Sequence, residues 1–201
     1  MKKKKSNLII KHFESPHQKN EYFLIDGNDA ATIDISNAYD EVSHLLGEMG
    51  VELKYLLITH AHKSHVKALS KLKENFGGTF CLHDYELEHL MGSDKNLEPD
   101  KYLKDNEILM LGDAKIKVLL TPGHTKGSVC YYVKQANALF SGSTLLKRGY
   151  GKIWGPDSMS LMHFSLKRLG SIIPDETVIY TGSGDLTEMK KEGWIHCMRS
   201  A

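Results

Sequence analysis

Leu56 to Leu69 reads LLITHAHKSHVKAL. An apolar, strand-like run ends at Thr59, and three histidines, His60, His62 and His65, follow within six residues. Side chains alternate along an extended segment, so His60 and His62 point the same way from the strand end, while His65 opens the next helix. All three can face one point. Neutral imidazole is a good ligand for zinc or iron, and three of them leave a tetrahedral ion one open position for water, as in catalytic rather than structural zinc sites. The competing reading is chance clustering in a chain with 11 histidines. Ser64 stands inside the cluster where a carboxylate would be the ordinary companion.

Working outward, the apolar run predicts a buried strand over Tyr55–Thr59, and Val66, Leu69, Leu72 and Phe76 mark a helix that Gly77 and Gly78 end. LIIKHF from Leu8, YFLID from Tyr22 and ATIDI from Ala31 read as earlier strands in a meander. Ala38, Val42, Leu45, Leu46 and Met49 recur at helical spacing, with Ser36 or Asn37 as the cap and Gly50 as the stop. TFCL from Thr79 and KIKVLL from Lys115 are further strands, and SVCYYV with ALF from Ala138 forms a hairpin over QAN. A last helix runs over Met159–Ile173 before the strand TVIY. The polar residues 92–106 read as a loop. This order predicts α/β layers built on a largely antiparallel sheet.

With 201 residues and 41% hydrophobic content, the chain suits one globular domain over residues 7–201, preceded by a flexible basic tail at residues 1–6. The formal net charge is +1, from 26 basic and 25 acidic residues, which gives no reason to expect a nucleic-acid or membrane partner. A small-molecule substrate or ligand is the expected partner. Cys81, Cys130 and Cys197 are scattered, which argues against a disulfide framework and fits a cytoplasmic protein. No CxxC pattern exists, so any metal site rests on histidine.

Thr121–Ser128, TPGHTKGS, follows a strand and projects His124 from a tight turn. THAHKSH, TPGHTKGS, LFSGSTLL at 139–146 and VIYTGSGDLT at 178–187, in this order and at these intervals, resemble the metallo-β-lactamase superfamily. The likeness extends over nearly the whole chain, since YFLID and TIDI match the family's opening strands and SLKRLGSIIPDETVIY its closing helix and strand. It is greatest to short members similar to glyoxalase II. The resemblance implies an αββα four-layer sandwich, with two metals at one edge and hydrolysis of an ester, thioester, amide or phosphodiester.

Carried over residue by residue, the resemblance assigns His60, His62 and His124 to the first metal, with water at its open position as the catalytic species. Zinc is the expected ion, one per chain, with iron or manganese as the other candidates. The second metal of such enzymes takes an aspartate and a histidine from THxHxDH, a bridging aspartate from FSGD and a histidine from the late GHG. Those positions hold Ser64, His65, Ser143 and Ser183, so His65 alone keeps a ligand type. A serine hydroxyl is a neutral, weak donor, and three of them predict a degenerate second site.

Asp185, Asp84 and His163 are candidate replacement ligands, set against readings as a turn residue, a helix cap and part of a helix face. Lys147, Arg148 and Lys152 form a basic group that could meet an anionic substrate, or a solvated loop, and Trp154 and Trp194 are pocket or packing residues. Glyoxalase II carries a C-terminal helical extension that helps bind glutathione, whereas only about 15 residues follow the last matched strand and turn here. Glutathione specificity is therefore not expected. Nucleic-acid-processing members carry an inserted domain for which this chain has no room. Three functions follow from the resemblance: a mononuclear zinc hydrolase of a small ester or thioester, a catalytically impaired relative that binds a ligand or partner through the same cleft, and a mononuclear iron oxygenase of the persulfide dioxygenase type. The third needs an aspartate where Ser143 stands.

Overall fold

A computed structural model describes residues 7–15, 18–66, 68–94, 96–154 and 156–197, so the basic tail predicted at residues 1–6 lies outside the described residues. Two six-stranded sheets pack face to face. The first contains, in spatial order, β1 (Ile9–Glu14), β2 (Asn20–Asp26), β3 (Asp29–Ile33), β4 (Glu52–Leu57), β5 (Thr79–Leu82) and β6 (Lys101–Tyr102). The helices α1 (Tyr39–Met49), α2 (Lys63–Val66), α3 (Leu69–Phe76) and α4 (Leu87–Ser93) fill its crossovers. The second sheet contains β7 (Ile108–Leu111), β8 (Ala114–Leu120), β9 (Val129–Val133), β10 (Ala138–Gly142), β11 (Val178–Thr181) and β12 (Thr187–Glu188), again ordered as in the chain. Helix α5 (Pro156–Ile172) links β10 to β11, and α6 (Gly193–Cys197) follows β12.

Alternation along the strands builds the layers. On β2, Phe23 and Ile25 join the helices' Val42, Leu46, Leu69 and Leu72 in an outer core, while Tyr22 and Leu24 face the second sheet's Ile116, Val118, Tyr131 and Phe140. Both faces of β2 are buried, which is why YFLID reads as an unbroken apolar run. On the far side, Leu119, Cys130 and Leu139 receive Met162, Leu166 and Leu169 of α5. The architecture is the expected αββα sandwich. Among the described residues, no helix is long and apolar enough to cross a membrane.

The pairing is less antiparallel than the sequence suggested. β1–β2–β3 is an antiparallel meander, but β3–β4, β4–β5 and β5–β6 are parallel, because each intervening helix returns the chain to the same edge. The second sheet is antiparallel apart from β10–β11. The helix expected after the histidines is split into α2 and α3, and the polar stretch at residues 92–106 contributes the two-residue strand β6. Gly50 and Gly77 end α1 and α3 as expected, with φ of 62° and 71°.

Neither Ser36 nor Asn37 caps α1. The N-cap is Ala38, and the buried Glu21 of β2 takes the backbone N–H groups of Ser36, Asn37 and Ala38 at 2.9–3.0 Å. A carboxylate that accepts three consecutive N–H groups leading into a helix satisfies them and complements the dipole there. Asp84 does not cap its helix either. His83 occupies that place and accepts the Tyr85 N–H through Nδ1, while Asp84 lies inside the short turn.

Candidate metal centre

The loops after β4, β8, β10 and β11 leave the strands at their carboxyl ends, the edge where α/β folds commonly place their ligands. Hydrogen bonds join the sheets here, among them Val129 N–H to the Thr59 carbonyl at 2.9 Å, Tyr131 Oη to the Ile58 carbonyl at 2.7 Å and Tyr22 Oη to the Thr181 carbonyl at 2.6 Å. Gly142, at the end of β10, has φ +51° and lies against Thr59, whose Oγ1 would be 2.4 Å from any Cβ placed there. Only glycine suits both the conformation and the contact.

His60, His62 and His124 meet at this edge. Their rings stand 4.7–4.8 Å apart, centroid to centroid, and each pair is nearly perpendicular at 83–87°. One nitrogen from each lies within 4.8 Å of the others. His124 Nε2 and His62 Nδ1 are 3.2 Å apart. Two nitrogens bound to one tetrahedral zinc at about 2.0–2.1 Å lie roughly 3.4 Å from each other, so this pair already has the spacing of co-ligands. His60 and His124 are buried and His62 is half-buried, which opens the cluster on the His62 side.

The outward nitrogens are fixed. His124 Nδ1 lies 2.7 Å from the Lys152 carbonyl, an acceptor only, so Nδ1 carries the proton and Nε2 the lone pair. His60 Nδ1 lies 3.0 Å from Thr59 Oγ1, whose own hydrogen goes to Asp34 Oδ2 at 2.8 Å. Thr59 oxygen must then accept from His60, which leaves the lone pair on Nε2. Asp34 also takes the Thr59 N–H at 2.7 Å. Such outer partners set tautomer and ring orientation at metal sites. The donor set therefore fits a borderline-soft divalent cation such as zinc.

A buried carboxylate holds the two histidine-bearing loops together. Glu86 is wholly excluded from solvent; Oε2 accepts from Ala61 N, between His60 and His62, and Oε1 from Gly127 N, three residues after His124. The sequence reading missed Glu86, Asp34 and Thr59. A signal for α4 existed, since Leu87, Leu90 and Met91 recur at helical spacing, but nothing marked Glu86 as facing inward.

The remaining candidates separate. The side chains of Ser64 and His65 on α2 lie outside the described residues. Ser143 lies beside His124: Gly151 N donates to its carbonyl at 2.7 Å, and a Cβ on Gly151 would be 2.7 Å from Ser143 Cβ and 3.2 Å from His124 Nδ1. Ser183 is half-buried and bridges to Lys19. Asp185 is paired with Lys147 at 2.7 Å, an interaction that lowers its pKa, Asp84 is exposed in the turn after β5, and His163 sits exposed on α5 with its ring edge toward Tyr150. Among the described residues, His60, His62 and His124 are the only group able to share a metal ion. The backbone N–H of Arg148 and the indole Nε1 of Trp194 both donate to Glu192, so the Trp194 ring serves packing of the C-terminal segment.

A family model described as the metallo-beta-lactamase superfamily matches residues 16–197. This chain belongs to that superfamily. It is 30% identical over 194 residues to "Probable metallo-hydrolase YqgX" of Bacillus subtilis, covering 88% of this chain and 90% of the relative. It is 36% identical over 130 residues to the hydroxyacylglutathione hydrolase of Bartonella quintana, covering 65% of this chain and only 48% of that enzyme. Thus the chain spans about half the length of that hydrolase. Among solved structures, TTHA1623 in a di-iron-bound form superposes with a TM-score of 0.78 at 27% identity, covering 92% of this chain and 96% of that one.

Proposed function

We propose that this chain is a single-metal hydrolase of small esters or thioesters, holding zinc through His60, His62 and His124. The observation that carries the reading is the three-ring cluster, in which the lone-pair nitrogens of His60 and His124 are set by Thr59 and the Lys152 carbonyl. The hydrolase names of two relatives support it. A divalent ion, when bound, supplies Lewis acidity to a carbonyl oxygen and lowers the pKa of a coordinated water toward about 7. The chain's own residues do the rest. Asp34 and Thr59 orient His60, the Lys152 carbonyl orients His124, and Glu86 fixes the spacing of the two loops.

The serines favour a second reading, a relative that binds its ligand without turnover, because they remove the carboxylates that would carry a proton during hydrolysis. General acid–base help is worth about 10²- to 10⁴-fold. One experiment separates the two. Protein purified and dialysed without chelator is assayed for metal by elemental analysis and for hydrolysis of simple thioesters after loading with zinc, iron or manganese. The expected result is one equivalent per chain, lost in His62→Ala and His124→Ala, with turnover highest in the zinc form. One equivalent with no turnover in any form selects the binder, and two equivalents overturn the single-metal reading.

A further inference from the structure

A cleft of about 500 Å³ opens beside His62 and His124, and three separate segments bring large apolar side chains to it. Tyr85 comes from the turn before α4, Trp154 from the segment before α5, and Leu161 from α5 itself. They are 61%, 61% and 38% exposed. Phe164, three residues beyond Leu161 on the same helix face and also exposed, continues the apolar stripe. Large apolar side chains gathered in water around a polar centre mark a surface that something covers.

We infer that this cleft takes the acyl group of the substrate, and that the group is apolar, an aryl group or a chain of about six to eight carbons. The inference rests on the hydrolase reading above and names its substrate class. The size fits, since small-molecule sites span about 300–1,000 Å³. Charge gives no competing instruction. Glu88 and Lys126 line the cleft with opposite signs, and the Lys152 ammonium is held over the Trp154 ring at 4.2 Å. A ligand that enters therefore removes the apolar surface of Trp154, Tyr85 and Leu161 from water, beside the His89 imidazole. In the reaction, water oxygen adds to the acyl carbon and the C–S bond breaks. The products are a carboxylate, a thiol and one proton.

The test uses full-length, metal-loaded protein and N-acetylcysteamine thioesters of acetate, butyrate, hexanoate, octanoate and benzoate. The expected kcat/KM rises at least about tenfold from acetyl to octanoyl, within the range a hydrophobic pocket can discriminate. Trp154→Ala and Leu161→Asp should each lower the octanoyl-to-acetyl ratio several-fold while metal content stays constant. A parallel measurement, independent of turnover, is quenching of Trp154 fluorescence by octanoate in a Trp194→Phe background. Turnover that is flat with chain length, or highest for acetyl, overturns the inference and leaves the hydrolase reading intact. Saturable quenching that Leu161→Asp abolishes, without turnover, supports the apolar cleft and removes the hydrolase reading. Absence of both overturns the inference, as does a dimer that Trp154→Ala dissociates with no effect on chain-length preference.

Discussion

Glu86 reaches Gly127 so closely that a Cβ at 127 would lie 2.8 Å from Glu86 Cγ and 3.0 Å from its backbone nitrogen. Through this gap Oε1 accepts the Gly127 N–H at 2.8 Å, while Oε2 accepts Ala61 N–H at 2.9 Å. One buried side chain thus sets the distance between the loop of His60 and His62 and the loop of His124. Glu86→Ala would strand two buried N–H groups, at about 1–3 kcal/mol each, and is expected to lower both Tm and metal affinity. Glu86→Gln keeps one acceptor and turns an amide donor toward the other N–H, so it should retain the fold but weaken metal binding about 10- to 100-fold. Chelator competition measures this; wild-type affinity in Glu86→Gln would remove the residue from any positioning role.

That contact also shows where sequence reading stopped. HAHKSH and TPGHTKGS stood out because the histidines that meet in the fold sit in short local patterns, and the strands around them because alternation and apolar runs report burial directly. Glu86 and Glu21 were not legible. Each is a carboxylate that serves backbone N–H groups at least 15 residues away in sequence, so neither the turn nor the cap it satisfies bears any local mark of it. For the same reason Ser36 and Asn37 looked like caps while the N–H groups were met from β2. Parallel pairing was missed because it depends on which edge a crossover returns to, which strand composition does not encode.

Thr59→Val tests the outer support of His60. The replacement keeps the branched shape but removes the hydroxyl that joins Asp34 to His60 Nδ1. Asp34 keeps its bond from the Thr59 backbone N–H, so the strand end should hold. Metal affinity is expected to fall about 10- to 100-fold with a small change in Tm. Equal losses in stability and affinity would mean that Thr59 serves the fold alone.

Alkaline pH should destabilise the protein ahead of any acid effect at the same groups. Burial pushes the Cys81 thiol up to about 12 and the Cys130 thiol up to about 11, from an ordinary value of 9.0, and raises the phenols of Tyr22 and Tyr131 as well. Well below pH 9 these groups are neutral in both states and contribute no slope. Above it the unfolded chain loses protons that the native one keeps, so stability falls as pH rises, by up to about 1.4 kcal/mol per pH unit for each group. Urea midpoints measured from pH 8 to 11 should decline beyond pH 9. Under native conditions at neutral pH, mass mapping should find Cys81 and Cys130 unmodified by thiol reagents, as both are free and buried. A flat midpoint across that range would contradict the burial of these side chains.

The three serines make the sharpest prediction about the site. If the second-metal positions have lost only their donors, Ser64→Asp, Ser143→Asp and Ser183→His together should raise metal content from one to two per chain and increase thioester hydrolysis well above wild type. Ser143 is half-buried, and Gly151 packs between it and the His124 ring. Each change alone should do little, because one carboxylate without the other and without the imidazole cannot hold a second ion, whereas the full set supplies four donors with His65. Such coupled gains depart from additivity by construction, so the single, double and triple variants form a cycle whose interaction term is the measurement. Metal titration by calorimetry and thioester turnover across pH supply the two readouts. A triple variant that folds normally yet binds one ion would show that the cleft differs from its two-metal relatives in more than these three side chains, and Lys147 is then the next position to change, because its ammonium draws the Asp185 carboxylate to itself at 2.7 Å.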